Sequence, residues 1–80
     1  MNTKFQVEMT ACQLLQAAQA LTQAAGEAYD DQRYVSAIAG YKQAASYYGL
    51  LGMNAWAVAI GNKARLIDSE IIAASEEEAV

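Results

Sequence analysis

Few side chains in this sequence can carry acid–base or metal chemistry, and their types exclude most classes of enzyme. The chain has no histidine and a single cysteine, Cys12. It therefore lacks an imidazole base, a thiolate metal cage and a disulfide within the chain. Asp30 and Asp31 could bind a divalent cation, but such sites need further oxygen ligands at fixed offsets, and an acidic helix cap is the preferred interpretation. We expect no catalytic residue, no metal site, no cofactor and no enzymatic activity.

The aromatic residues form the most distinctive remaining group. Tyr34, Tyr41 and Tyr48 recur every seven residues, which places them on one side of a helix and is more typical of a core than of a ligand surface. A second apolar and aromatic set, here the turn cluster, is predicted to dock a partner protein, and it comprises Tyr47, Leu50, Leu51, Met53 and Trp56. Aromatic and methionine side chains are enriched in interface cores. A cap that closes one end of the hydrophobic core is the alternative.

Helices must position these groups, because alanine is spread through the chain and proline is absent. Thr3 and Gln6 have the spacing of a capping box, which predicts that the first helix begins there. Apolar residues then recur at spacings of four and three, as on the inward face of a helix: Val7, Ala11, Leu14, Ala18, Leu21, Ala25 and Ala28. This first helix is expected to span about 26 residues, or about 39 Å, and to be longer than the second.

Two further helices are expected after the break near residue 31. Asp31 is predicted to cap the second helix, Gly49 to end it in a left-handed conformation, and Asn54 to cap the third. The inward face of the second helix comprises Tyr34, Ala37, Ile38, Tyr41, Ala44 or Ala45, and Tyr48. The inward face of the third comprises Ala57, Ile60, Ala64, Ile67, Ile71 and Ala74, with Trp56 beside it.

The sequence thus predicts an all-α fold, a three-helix antiparallel bundle. The helical domain is expected over residues 1–75, followed by an acidic and disordered tail over residues 76–80, because three glutamates oppose the dipole at a helix C-terminus. The alternative joins the second and third helices as one bent helix through Gly49 and Gly52, since a glycine costs a helix only about 1 kcal/mol.

One segment resembles a known type of helical hairpin. The acidic turn Asp30–Asp31 is followed by Tyr34, Ala37, Tyr41 and Ala44. Over about a quarter of the chain, this pattern resembles the hairpins of tetratricopeptide repeats and, more closely, of microtubule-interacting-and-trafficking domains, whose turn it matches without a gap. The resemblance implies that a short helix or an extended peptide docks in a groove along the third helix.

The charge of the chain limits its partners and its location. Nine acidic and five basic side chains give a net charge of −4, so we expect no direct binding to nucleic acid or to anionic membranes. No apolar stretch approaches the roughly 20 residues needed to span a bilayer, and the N-terminus lacks the apolar run of a secretory signal. We therefore expect a cytoplasmic protein.

Small size and low charge favour association with another chain. A core of this size rarely contributes more than about 3 to 5 kcal/mol without a disulfide or a metal, and the charged fraction of 18% is low. We expect a homodimer or an obligate complex with a larger partner protein. The predicted function is that of a non-catalytic protein–protein interaction module that docks a partner by helix packing. The alternative is a small inhibitor from a phage or mobile element, for example anti-CRISPR-like, which binds and blocks a host protein complex.

Overall fold

A computed structural model describes residues 10–79, and the side chains of residues 10–74. Within this described part of the chain, three helices follow one another: α1 (Ala11–Asp30), α2 (Tyr34–Leu50) and α3 (Asn54–Ala79). Short turns join them, and α2 packs against both α1 and α3. No strand occurs within residues 10–79. The predicted all-α bundle of three helices is confirmed.

A capping box starts α1, seven residues after the position predicted from the sequence. Thr10 has an extended backbone, and its Oγ1 accepts a hydrogen bond of 3.1 Å from the backbone N–H of Gln13. The Gln13 Oε1 accepts one of 2.9 Å from the Thr10 N–H, so two open donors are satisfied together. The predicted start at Thr3 lies outside the described residues. With 20 described residues, α1 is longer than α2, which has 17, as predicted.

The turn between α1 and α2 is a Schellman turn built around a non-glycine residue. Gln32 has a φ of 65°, and hydrogen bonds run from its N–H to the Tyr29 carbonyl (2.9 Å) and from the Arg33 N–H to the Ala28 carbonyl (2.8 Å). Asp31, predicted to cap α2, instead ends α1. Because this turn uses three residues, Arg33 takes the position before α2 and makes no capping hydrogen bond through its side chain.

The turn between α2 and α3 repeats that geometry. Gly52 has a φ of 78°, and the N–H groups of Gly52 and Met53 donate to the Gly49 and Tyr48 carbonyls, respectively. The left-handed residue is therefore Gly52, and the prediction of Gly49 is wrong because Gly49 lies within α2. Asn54 is the first residue of α3 and not its cap. The single bent helix is also wrong, since Gly52 reverses the chain.

Alanine dominates the core. The buried residues lie on the predicted inward faces and are Ala18, Ala25, Ala28, Ala37, Tyr41, Ala44, Tyr48, Ile60, Ala64 and Ile67. Among the described residues, no large side chain is fully buried. Tyr34, Ala11 and Ala74, which were also assigned to inward faces, are exposed.

Small residues let α1 and α2 approach closely. A Cβ atom at Gly40 would lie 3.0 Å from the Ala25 Cβ and 3.5 Å from the Leu21 carbonyl oxygen. This is closer than ordinary van der Waals contact, so only glycine fits at position 40 without movement of α1.

The longest helix is α3, which has 26 residues. It continues to Ala79, whereas the sequence predicts disorder from residue 76. Alanine and glutamate are good helix formers, and no glycine follows Gly61 to end the helix. None of the helices in residues 10–79 combines the length and the apolar content that crossing a membrane requires.

Candidate functional site

The structure divides the turn cluster into core residues and surface residues. Tyr47, Leu51 and Met53 are partly buried and pack against the hydrophobic core, as expected for a cap at one end of the bundle. Leu50 and Trp56 are exposed, with relative accessibilities of 72% and 54%. The interpretation as a cap therefore holds for Tyr47, Leu51 and Met53, and it does not hold for Leu50 and Trp56.

The two exposed members of the turn cluster do not share one surface. The Trp56 ring stacks on the Tyr48 ring, with 5.6 Å between centroids and 25° between planes. Leu50 follows Tyr48 by two residues, which is a rotation of about 200° around the helix. It therefore lies on the side of α2 away from Trp56. That the turn cluster binds a partner stays a prediction.

A groove between α1 and α3 brings together residues that were not predicted as a site. Its volume is about 260 Å³, and we call it the α1–α3 groove. Its lining comprises Tyr29 from α1, Tyr41 from α2, and Lys63, Leu66, Ile67 and Glu70 from α3.

Side chains spaced by seven residues on α3 and on α2 line one side of this groove. Trp56, Lys63 and Glu70 are seven residues apart on α3 and so share one flank of the helix. Because α3 runs antiparallel to α2, the first two meet the tyrosines of α2 in reverse order. Trp56 stacks on Tyr48, and the Lys63 Nζ lies 5.8 Å from the centroid of the Tyr41 ring. Tyr41 separates α1 from α3 along the floor of the groove.

Tyr29 and Glu70 connect α1 to α3 at one end of the groove. The Tyr29 hydroxyl donates a hydrogen bond of 3.1 Å to the Glu70 Oε1. This hydrogen bond and the negative charge of the same carboxylate raise the pKa of Tyr29 above its ordinary value. Tyr29 therefore stays protonated as a donor throughout the neutral range.

The Tyr41 side chain presents a polar atom to the groove without a protein partner. Tyr41 is 7% exposed, and no hydrogen bond joins its hydroxyl to another of the described residues. The hydroxyl lies next to Gly26 of α1, where a Cβ would be 3.5 Å away. The ammonium of Lys63 on the other side is exposed. Both side chains line the groove, Tyr41 with its hydroxyl toward α1 and Lys63 from α3.

Leu66 gives the groove an exposed apolar edge, with a relative accessibility of 66%. It was missed in the sequence because it falls outside the inward face of α3. Its position in the sequence could have indicated it, because Leu66 directly precedes the core residue Ile67. A leucine at that position widens the apolar face of α3 toward one side.

One acidic residue of the first turn, Asp31, forms an exposed ion pair with Arg33. The Arg33 Nη2 lies 3.3 Å from the Asp31 Oδ2, and both side chains are more than half exposed. Exposed pairs of this kind contribute at most about 1 kcal/mol. Among the described residues, no three potential ligands of the types histidine, cysteine, aspartate and glutamate converge on one point.

Comparisons of the chain with protein-family models, with curated proteins and with solved structures find no match. The resemblance to tetratricopeptide and microtubule-interacting-and-trafficking hairpins stays a prediction. The geometry of the α1–α3 groove is therefore the basis for assigning a function.

Proposed function

We propose that this chain is a non-catalytic protein–protein interaction module, which docks a partner protein by helix packing at the α1–α3 groove. One observation carries the proposal: large apolar side chains lie on the surface while the core is filled mainly by alanine. The described core holds no fully buried large side chain, although Leu66 and Trp56 are more than half exposed. A partner would bury these exposed apolar side chains.

The exposed apolar residues on α3 are suited to this docking. Full burial of a leucine or a similar side chain stabilises a protein by about 1.5 to 3 kcal/mol. Leu66 lies in the groove lining, and Trp56 lies on the same flank of α3 as Lys63 and Glu70. A partner helix laid along this flank would cover both side chains, as in other helix-in-groove complexes.

Polar groups would give the docking its orientation. The groove presents the Lys63 ammonium, the Glu70 carboxylate and the Tyr41 hydroxyl around the apolar edge of Leu66. Interfaces commonly combine an apolar centre with a polar rim, and complementary charges fix the register of the partner. The same groups give no nucleophile paired with a base, so binding accounts for them better than catalysis does.

The cytoplasm is the proposed compartment. Cys12 is an exposed free thiol, and it is the only cysteine in the sequence. A thiol of this kind persists in a reducing compartment, where disulfides are rare.

Affinity capture from the cells that make the protein tests this proposal. We expect Leu66→Asp and Trp56→Asp each to abolish recovery of a partner that the wild-type chain retains. Ile72→Asp is the matched control, because Ile72 is 51% exposed and lies two residues from Glu70, on the opposite side of α3. Far-ultraviolet circular dichroism verifies that each variant stays helical. Equal recovery by all three variants would contradict the proposal.

A further inference from the structure

We propose that the occupant of the α1–α3 groove is α3 of a second copy of this chain, antiparallel to the first and related by a two-fold axis beside Leu66 and Ile67. This inference rests on the proposed function, because it names the partner of the same groove. The order of charged, apolar and small residues along one flank of α3 supports it.

The charges on this flank are complementary to themselves. Lys63 and Glu70 are seven residues apart, or two helical turns and about 10.5 Å. The midpoint between them falls between Leu66 and Ile67. A two-fold axis at this midpoint places Lys63 of each copy opposite Glu70 of the other. One chain therefore forms two equivalent ion pairs with its own copy, as an isologous interface requires.

The small and apolar residues are centred on Leu66, directly beside the same axis. Ala59, Leu66 and Ala73 are spaced by seven residues and are all exposed. In an antiparallel pair, Leu66 packs near Leu66 of the second copy, while Ala59 of each copy lies opposite Ala73 of the other. Alanine at both ends permits the close approach that lets the central leucines reach each other.

Two polar groups of the groove are also suited to a carboxylate from the occupant. The Tyr41 hydroxyl has no hydrogen-bond partner among the described residues, and the Lys63 ammonium lies over the Tyr41 ring. A carboxylate beside this ammonium accepts from it, and the Tyr41 side chain, which lines the same groove, carries a second donor. Glu70 of the second copy arrives at this place by the same two-fold axis that pairs it with Lys63. Without such an acceptor, an occupant would desolvate the hydroxyl at a cost.

The opposite side of α3 carries a second pair of opposite charges, Arg65 and Asp68, whose midpoint also falls between Leu66 and Ile67. It lies outside the groove lining and therefore supplies matched controls. Arg65 and Asp68 lie two residues from Lys63 and Glu70 respectively, or about 200° around the helix. Both are exposed, and the Arg65 Nη1 donates to the Asn62 Oδ1 at 3.4 Å. Changes of charge at these positions alter the net charge of the chain equally but leave the proposed interface intact.

Sedimentation equilibrium with charge-reversal variants tests the inference. The wild-type chain is expected to dimerise at micromolar concentrations. Lys63→Glu alone and Glu70→Lys alone each place like charges opposite one another, and we expect each to weaken the dimer at least about tenfold. An equimolar mixture of the two variants forms heterodimers, because the introduced glutamate then faces the introduced lysine, and the native Glu70 of one chain faces the native Lys63 of the other. The double variant K63E/E70K recovers a homodimer.

Two control variants and three further outcomes distinguish the proposed dimer from its alternatives. Arg65→Glu and Asp68→Lys are expected to dimerise as the wild type does. A wild-type chain that stays monomeric to about 1 mM would overturn the inference, as would dimers that Lys63→Glu and Glu70→Lys leave unchanged. Capture of a different protein that depends on Leu66, together with a monomeric wild type, would overturn only the second copy as occupant and would leave the proposed function standing.

Discussion

The Trp56 indole stacks on the Tyr48 ring at 5.6 Å between centroids, across the junction of α2 and α3. Tyr48 is 4% exposed, whereas Trp56 keeps more than half of its surface accessible. One face of Trp56 thus closes the core while the other remains open on the groove flank of α3. Trp56 thus contributes to the stability of the bundle and also to its exposed apolar surface. Experiments can separate these two roles.

Loss of the Trp56 ring is expected to destabilise the bundle. Trp56→Ala removes the stacking on Tyr48 and should lower the free energy of unfolding by about 1 to 2 kcal/mol. Leu50→Ala should change it by less than about 0.5 kcal/mol, because Leu50 is mostly exposed. Urea denaturation followed by circular dichroism measures both values. Equal losses for the two variants would show that the stacking contributes nothing.

The close approach of α1 and α2 should make position 40 intolerant of side chains. Gly40→Val forces atoms against Ala25 and is expected to cost about 1 to 3 kcal/mol of stability. Gly49→Ala is the control: a Cβ there meets no atom within 4 Å, so better helix propensity should stabilise α2 by up to about 1 kcal/mol. Thermal unfolding compares the two variants. A stabilising Gly40→Val would contradict the observed packing.

The two left-handed turn residues are expected to respond in opposite directions. Gly52→Ala places a Cβ at a φ of 78° and should destabilise the protein by about 1 to 2 kcal/mol. Gln32→Gly removes a Cβ at a φ of 65° and should stabilise it by up to about 1 kcal/mol. Chemical denaturation measures both. If Gly52→Ala were neutral, the turn would not depend on the left-handed conformation.

The contact between Tyr29 and Glu70 predicts a pH-dependent signal. Glu70→Gln removes the carboxylate that raises the pKa of Tyr29, so this pKa should fall toward the ordinary tyrosine value. The pKa of Tyr29 is higher in the folded state than in the unfolded state. The contact with Glu70 therefore contributes to the stability of the fold at pH values below the unfolded-state pKa. This contribution is lost as the pH rises through the folded pKa.

Nuclear magnetic resonance of tyrosine labelled with ¹³C at Cζ measures this titration. Asp30→Asn serves as the comparison, since Asp30 contributes least among the causes of the shift. If Asp30→Asn lowered the pKa of Tyr29 more than Glu70→Gln does, Glu70 would not be the main cause of the raised pKa.

The core could be predicted from the sequence more fully than the turns. Spacings of three and four identified each buried residue of the described range 10–74, because a helix repeats every 3.6 residues and only one side of it can face the core. The conformation of the turns was harder to predict. Gly49 and Gly52 both suit a left-handed turn, and nothing in the residue type of Gln32 indicates a positive φ.

The groove could not be predicted because it depends on how α1 and α3 sit on α2. The sequence grouped Tyr47, Leu51 and Trp56 by their nearness along the chain, and the structure separates them into core and surface. It brings together Tyr29 and Glu70, which are 41 residues apart. Periodicity within one helix does not report this kind of contact between helices.

Photo-crosslinking from position 66, in cells that make the protein, tests most directly whether the α1–α3 groove is a docking surface. Leu66 is replaced by benzoylphenylalanine in one variant and Ile72 in another, so that the two probes lie on different sides of α3. We predict a defined protein adduct from position 66, either with a second copy of the chain or with one other protein, and none from position 72. No adduct from position 66, or the same adducts from both positions, would contradict it.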